Sequence, residues 1–252
     1  MREFDLSSLM KGLYQNMSYF AQIPLDGDAG FEENYHETTS DPDGKHRQLL
    51  EEREHSLAGI KEITDYLLGA APCKILDVGC GLGWLLSTLD NSWDKHGIEI
   101  SKFASNHAAK FGKIHNGTLE DFDEVLKFDL IVMNHVIEHV EKPLQVLKKI
   151  RNMLSDTGIF IIGTPDFDSA AARRYGNNFR LLHDPTHISL FSSDSMHRCL
   201  RDCGFKIMRV EYPFFDTPYF TEEHLLNMLD VDRVSPPFYG SKMTYFLNKN
   251  NS

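Results

Sequence analysis

Three glycines at alternate positions follow an acidic residue in Asp77-Val78-Gly79-Cys80-Gly81-Leu82-Gly83. Glycine lets a chain turn sharply and lets a ligand approach the main chain closely. The β-rich run Lys74-Ile75-Leu76 leads into this loop, and a helical pattern over 84–89 follows it. A bare tight turn needs one glycine, so three beside a carboxylate point to a binding loop. The spacing is GxGxG. A dinucleotide loop, GxGxxG, needs its third glycine where Trp84 stands. Asp77 would also repel a pyrophosphate, and it suits a cationic ligand better.

A second group follows in Asn134-His135-Val136-Ile137-Glu138-His139-Val140. His135, Glu138 and His139 fall at i, i+3 and i+4, so one helical turn puts them on one face. Three readings stay open. Glu138 and His139 bond loop backbone and shape the floor of a site. His135 or His139 is a general base, since histidine titrates in the right range. Or the histidines and the carboxylate, joined by His187, hold a divalent ion. No metal is assigned. Residues 164–191 are too long for a simple connection. They carry Arg173, Arg174, Tyr175, Asn177, Asn178, Arg180, His183 and His187. Arg180 with His183 or His187 suits a phosphate or carboxylate on an acceptor.

The elements that must position these residues alternate. Strands are predicted over 74–79, 96–100, 113–116, 128–134, 158–163, 206–212 and 243–247. Helices are predicted over 45–68, 84–89, 102–111, 143–154, 169–175 and 193–203. Pro143 suits a first helical turn, Ser192 or Ser193 an N-cap, and Gly204 a C-terminal stop. Such alternation predicts an α/β fold, a mostly parallel sheet with helices on both faces. Ligands then bind beyond the carboxyl ends of the strands. No standard crossover helix separates the last two strands, which predicts an antiparallel pairing. Residues 1–70 read as an N-terminal helical cap, with Tyr35, His36, His46 and Arg47 in a lid. Residues 71–252 read as the main domain with an insertion at 213–242. That insertion holds Phe214, Phe215, Tyr219, Phe220, Phe238 and Tyr239, read as a satellite core or a homodimer contact.

Composition sets outer bounds. The 252 residues are 41% hydrophobic and 25% charged, which suits one soluble α/β domain. The net charge of −11 disfavours a nucleic-acid substrate. No run approaches the roughly 18 apolar residues of a membrane span, and the N-terminus lacks a signal-peptide pattern. Cys73, Cys80, Cys199 and Cys203 form no CxxC pair, so reduced thiols in a cytoplasmic compartment are expected.

The run Ile75-Leu76-Asp77-Val78-Gly79-Cys80-Gly81-Leu82-Gly83 resembles the first motif of the class I S-adenosylmethionine-dependent methyltransferases. Gly97-Ile98-Glu99 is similar to that superfamily's second acidic position, Thr118-Leu119-Glu120-Asp121 to its adenine-side segment, and residues 128–140 to its fourth-strand motif. The resemblance covers roughly residues 72–211 and points to the small-molecule branch. It implies a Rossmann-like, doubly wound, seven-stranded, mostly parallel sheet with an antiparallel last strand. It implies S-adenosyl-L-methionine as cofactor, bound by Asp77, Gly79, Gly81, Gly83, Glu99, Leu119, Glu120 and Asn134. In this reading Asp77 faces the methionine end and Glu99 holds the ribose. His139, His187 and His135 are the catalytic candidates, acting on a small-molecule acceptor. Some relatives in the superfamily hold a metal with a similar Glu-His plus His set, but carry an additional Glu where His135 stands. The run Ser235-Pro236-Pro237-Phe238-Tyr239-Gly240 is similar to methyltransferases of surface-glycan synthesis, which implies a sugar-linked acceptor. The alternatives are a catalytically silent cofactor-binding scaffold and an NAD-dependent oxidoreductase.

Overall fold

The computed structural model describes residues 5–25, 39–40, 46–122, 125–213, 221–236 and 241–250, with backbone only at 39–40 and 46–47. Tyr35, His36, Phe214, Phe215, Tyr219, Phe220, Phe238 and Tyr239 lie outside the described residues, as do the side chains of His46 and Arg47.

Seven strands form one sheet: β1 (Lys74–Val78), β2 (Asp94–Glu99), β3 (Lys113–Asn116), β4 (Phe128–Asn134), β5 (Leu154–Pro165), β6 (Phe205–Glu211) and β7 (Lys242–Lys249). Their spatial order is β6-β7-β5-β4-β1-β2-β3. Neighbours from β5 to β3 pair in parallel, while β7 runs antiparallel to both β5 and β6. The predicted antiparallel pairing of the last two strands is therefore present. The sheet reverses its winding between β1 and β4, and the crevice beyond their carboxyl ends is the natural ligand cleft.

Alternation along β4 shows why the sheet needs two helical layers. Leu130 and Val132 pack to one side with Ile63 and Leu67. Ile131 and Met133 pack to the other with Val146, Leu147, Met196 and Leu200. The first side is covered by α3 (Lys61–Gly69) and α4 (Lys102–Ala108), the second by α5 (Pro143–Met153) and α7 (Ser193–Asp202). In α5 the apolar spacing buries Val146, Leu147, Ile150 and Met153. Each stabilises the fold by roughly 1.5–3 kcal/mol relative to exposure. Ser192 caps α7, accepting from the Ser195 N–H, while the Ser195 hydroxyl accepts from the Ser192 N–H. This fixes where the chain leaves the site.

The N-terminal 70 residues divide between two cores. Ile63 and Leu67 of α3 belong to the sheet's own core. Leu6, Met10 and Leu13 of α1 (Leu6–Gln15) form a separate cluster with Phe167, Tyr175, Phe179 and Leu190. This cluster unites α1 with the long segment after β5, including α6 (Ala170–Tyr175). Ala21 and Gln22 add a short antiparallel pairing with Leu190 and Ser189.

Three predicted helices come out differently. The helix over 45–68 is broken into α2 (Arg53–Ala58) and α3, with Gly59 between them, and residues 46–47 are extended and paired with 39–40. Gly59 is a poor helix former, which favours the break there. The helix over 84–89 is a single 3-10 turn at Leu86–Thr88. The Ser87 and Thr88 hydroxyls donate back to the carbonyls of Trp84 and Leu85, competing with a longer helix. The helix over 102–111 closes at Ala108.

Candidate active site

The glycine loop leaves β1 beside β4, at the reversal in the sheet. Gly79, Gly81 and Gly83 have φ of 72°, 53° and 78°, the left-handed region that favours glycine. Their surroundings differ. Gly79 is exposed, and a Cβ there would sit 2.4 Å from Val136 Cγ2. Gly83 is buried, and a Cβ there would lie 2.9 Å from the Ala108 backbone in α4. The loop is thus locked at its back and open at its front. His107 of α4 strengthens the lock with Nδ1 at 2.8 Å from the Leu82 carbonyl.

Glu99, at the end of β2, is buried and reaches across to the loop. Its Oε2 accepts from the Gly81 N–H and its Oε1 from the Ser101 N–H, both at 2.8 Å. Asp77 is buried at the end of β1. Burial, reinforced by the Glu99 charge, pushes its carboxyl up to about 7. Two carboxylates that repel each other in one crevice favour a cationic ligand. Asn134 ends β4, and its buried side-chain oxygen has no hydrogen-bond partner among the described residues. It lies where a Cβ on Gly163 would stand only 2.2 Å away, so glycine at 163 is what admits it. Beyond β3, Leu119 is buried in the core. Glu120 is exposed and gives its carbonyl oxygen to Lys149. Asp121 turns back onto the Thr118 hydroxyl.

Across from the loop, Glu138 joins three segments. It is fully buried. Its Oε1 lies 3.0 Å from His135 Nδ1, and its Oε2 accepts from the Thr164 hydroxyl at the end of β5. Its backbone carbonyl accepts from the Ile188 N–H. Burial alone would push Glu138 up, but the His135 hydrogen bond and the charge of His135, His139 and His187 bring it down to about 2. His135 holds this contact from a left-handed backbone, φ 53°, which is uncommon for a residue other than glycine. His139 Nδ1 lies 3.1 Å from the Thr186 carbonyl, and His187 Nδ1 lies 2.5 Å from the Leu181 carbonyl. The two rings are 4.8 Å apart. Burial holds His187 below the ordinary histidine value, against the pull of Asp184. Glu138, His139 and His187 each offer one ligand atom, all within 4.8 Å of one another.

Sequence reasoning grouped these histidines but not what fixes them. Thr164, Asp184 and Thr186 are the missing parts. Asp184 accepts from both the N–H and the hydroxyl of Thr186, shaping the turn that delivers His187. The run Asp184-Pro185-Thr186 carries that turn signal. Other residues of the long segment are engaged elsewhere. Arg173 pairs in bidentate fashion with Asp168, Arg174 donates to the Met228 carbonyl, and His183 meets the Asn177 carbonyl. Arg180 is buried, and its N–H donates to the Ser235 hydroxyl. A cavity of about 740 Å³ lies away from the glycine loop, along α7 between Asp166 and Asn250. Arg173 and Asp168 line it, whereas no residue of the glycine loop, Glu99, Asn134 or the Glu138 group does.

Residues 47–210 match a family model described as a methyltransferase domain. Ubiquinone biosynthesis O-methyltransferase of Glaesserella parasuis serovar 5 (strain SH0165) is 29% identical over 141 residues, 49% of this chain and 57% of that protein. Malonyl-[acyl-carrier protein] O-methyltransferase of Halalkalibacterium halodurans is 26% identical over 106 residues, 37% of this chain and 39% of that protein. The chain therefore spans little more than half the length of the former and less of the latter. Among solved structures, a SAM-dependent methyltransferase from Archaeoglobus fulgidus superposes with a TM-score of 0.59 at 18% identity, covering 80% of this chain and 98% of that one. The [4+2]-cyclase SpnF superposes at 0.56 with 19% identity, covering 75% of this chain and 80% of that one. At such identities these two superpositions speak for the fold alone.

Proposed function

The chain belongs to the methyltransferase-domain family, and from that premise we propose that it transfers a methyl group from S-adenosyl-L-methionine to a small polar acceptor. One observation carries the reading: two buried carboxylates, Asp77 and Glu99, flank an open left-handed glycine loop. The residues present fit this cofactor, because the crevice leaves the Gly79 main chain exposed and holds a buried Asn134 oxygen with no hydrogen-bond partner among the described residues. When bound, the cofactor supplies a methyl carbon activated by a sulfonium. Asp77 faces its charged methionine end. Glu99, already oriented by Gly81 and Ser101, holds the ribose with its remaining acceptor capacity. Gly79 and Gly81 permit close approach, while Gly83 seats the loop on α4. Leu119, buried beyond the end of β3, forms the adenine end, and exposed Glu120 lies at the rim.

On the acceptor side, His135, His139 and His187 activate the nucleophile around Glu138. The rest of the rate comes from holding two reactants in line. An oxygen acceptor is favoured, since a hydroxyl needs deprotonation help and both named relatives are O-methyltransferases. The sugar-linked acceptor rests on residues 235–240, of which 237–240 lie outside the described residues. We place the reaction in the cytoplasm: no helix among the described residues is long and apolar enough to cross a membrane, and all four thiols are free. The test is turnover. The protein is incubated with S-adenosylmethionine and a panel of sugars, phenols and amines, and S-adenosylhomocysteine is measured. Acceptor-dependent product supports the proposal. Tight cofactor binding with no product across the panel favours the silent scaffold instead.

A further inference from the structure

We propose that the cavity along α7 is a second ligand site, and that it takes a small phosphomonoester with its phosphate at His197, Arg201 and Lys206. It is separate from the glycine loop and from the Glu138 group, and it rests on no part of the methyl-transfer reading. Size, charge and rigidity each support it.

The cavity of about 740 Å³ falls within the range of small-molecule pockets, roughly 300–1,000 Å³. Its walls come from α1, the segment after β5, α7 and β6, so it exists only once these elements meet. Phe205 and Ile207 give it an apolar strip, and Tyr14 and Ser193 add hydroxyls. That lining suits a polar body with one apolar face.

Charge selects an anion. The chain carries 37 Asp and Glu against 26 Lys and Arg. In the cavity the balance reverses, with Arg173, Arg198, Arg201 and Lys206 against Asp166, Asp168 and Asp194. The three carboxyl groups are already engaged. Asp168 takes both the Arg173 guanidinium and the Tyr14 hydroxyl. Asp194 takes Arg198, whose other nitrogens donate to the Met17 and Ser18 carbonyls. Asp166 is buried and accepts from the Asp168 N–H. Two cations are left over. Lys206 is exposed and meets no carboxylate among the described residues. Arg201 pairs with the adjacent Asp202 at the surface, and a pair so exposed is weak. The field left in the cavity is positive.

His197 supplies a third donor. It lies four residues before Arg201, on the same face of α7. Its Nδ1 is 3.0 Å from the Tyr245 hydroxyl, and the two rings meet edge to face. Nε2 is the nitrogen left for a ligand, and when protonated it donates to a phosphate oxygen. Three cationic donors match the several oxygens and the near-double charge of a phosphomonoester. A carboxylate offers only two oxygens and one charge.

The backbone beneath these donors is fixed. Arg151 donates to the Gly204 and Asn250 carbonyls, and the Asn250 N–H donates to the Gly204 carbonyl. Gly204 has φ of 83°, and a Cβ there would lie 2.6 Å from Arg151 Nε. The turn between Arg201 and Lys206 is therefore clamped. It also caps α7, since the Cys203 and Gly204 N–H groups donate to the Cys199 and Arg201 carbonyls. Carbonyls that would repel an anion at this helix end are thereby engaged. A site set before binding loses less freedom when its ligand arrives.

The experiment is calorimetric titration of the full chain with glucose 6-phosphate in about 0.15 M salt, with S-adenosylhomocysteine absent and then saturating. Phenyl phosphate is a second probe, with a body suited to Phe205 and Ile207. One phosphomonoester per chain is expected in both conditions, and no binding of glucose. Arg201→Gln and Lys206→Gln alter exposed side chains and should leave the fold intact. Each should weaken binding at least about tenfold. Arg233→Gln, outside the cavity, should leave it unchanged. Failure of both phosphomonoesters to bind, or unchanged affinity in both cavity variants, overturns the proposal. So does displacement of glucose 6-phosphate by S-adenosylhomocysteine, which would put the ligand in the cofactor crevice. Weakening by His139→Ala alone would put it beside Glu138 and overturn the proposal equally.

Discussion

The Oε2 atom of Glu99 accepts a hydrogen bond from the Gly81 N–H at 2.8 Å, so the end of β2 holds the glycine loop that leaves β1. The same carboxylate accepts from Ser101, the N-cap of α4. One side chain therefore sets the loop and the helix together, and in the proposed cofactor site it would set the ribose position as well. Glu99→Gln keeps the volume but turns an amide N–H toward one of these donors. We expect cofactor affinity to fall at least about tenfold, and stability to fall by about 1.5–3 kcal/mol, the range of a charge-assisted hydrogen bond. Calorimetry and urea denaturation read the two effects separately. Unchanged affinity would remove Glu99 from the ribose site.

Asp77 makes cofactor binding depend on pH. Burial and the Glu99 charge raise its carboxyl to about 7 in the free protein. A cationic ligand favours the ionised form, so binding below this value must release a proton. Affinity should weaken by up to about tenfold per pH unit between about pH 7 and 5.5. Asp77→Asn should flatten that slope and lower affinity throughout. A slope that persists in Asp77→Asn assigns it to another group.

The same shift affects stability. An acid with a raised folded value disfavours folding as pH rises from its unfolded value toward the folded one. Asp77 therefore destabilises the free protein progressively between its ordinary value of 3.8 and about 7, and fully above that. Asp77→Asn should raise the Tm of the free protein at about pH 8 and change it little near pH 4. Equal Tm values at the higher pH would show that Asp77 is not strained by its surroundings.

The glycines separate by function. Gly83→Ala places a Cβ 2.9 Å from the Ala108 backbone, which cannot yield as a side chain can. We expect a fall in stability of more than about 1 kcal/mol, with part of it from the left-handed φ. Gly79→Ala has the same left-handed φ and places a Cβ 2.4 Å from Val136 Cγ2, so it too should lower stability, but as the exposed glycine it alone should also lower cofactor affinity. Thermal denaturation beside calorimetry decides; the reverse pattern would exchange the two roles.

α1 and the segment after β5 share a core of their own. Leu13→Ala should cost about 2–5 kcal/mol at a fully packed site. The loss should appear as faster hydrogen exchange in residues 5–25 and 167–190, with β1 and β4 protected. Uniform loss of protection across the sheet would show a single cooperative unit.

Much of the sheet was legible because strand periodicity is strong where both faces are buried, as in β4. The antiparallel β7 was legible from a missing crossover. Helix ends were less so. The turn at Leu86–Thr88 is governed by Ser87 and Thr88 hydroxyls bonding backward, a contact that no periodicity registers. Gly83 illustrates a related gap: it reads as a ligand glycine, yet its neighbour is α4, which is distant in sequence. At the acceptor side, His135, Glu138 and His139 were grouped by spacing alone. The tie of Glu138 to Thr164 and Ile188 depends on how a turn, the end of β5 and a later loop meet, which only tertiary structure reveals. Glu120 shows the limit of a motif: its segment matches, but the side chain points to solvent.

The central claim is that the loop at residues 77–83 holds a sulfonium cofactor. Calorimetric titration of the full chain with S-adenosylmethionine, and in parallel with NAD, tests it most directly. The account predicts one S-adenosylmethionine per chain and no NAD binding. NAD binding without S-adenosylmethionine binding would contradict it.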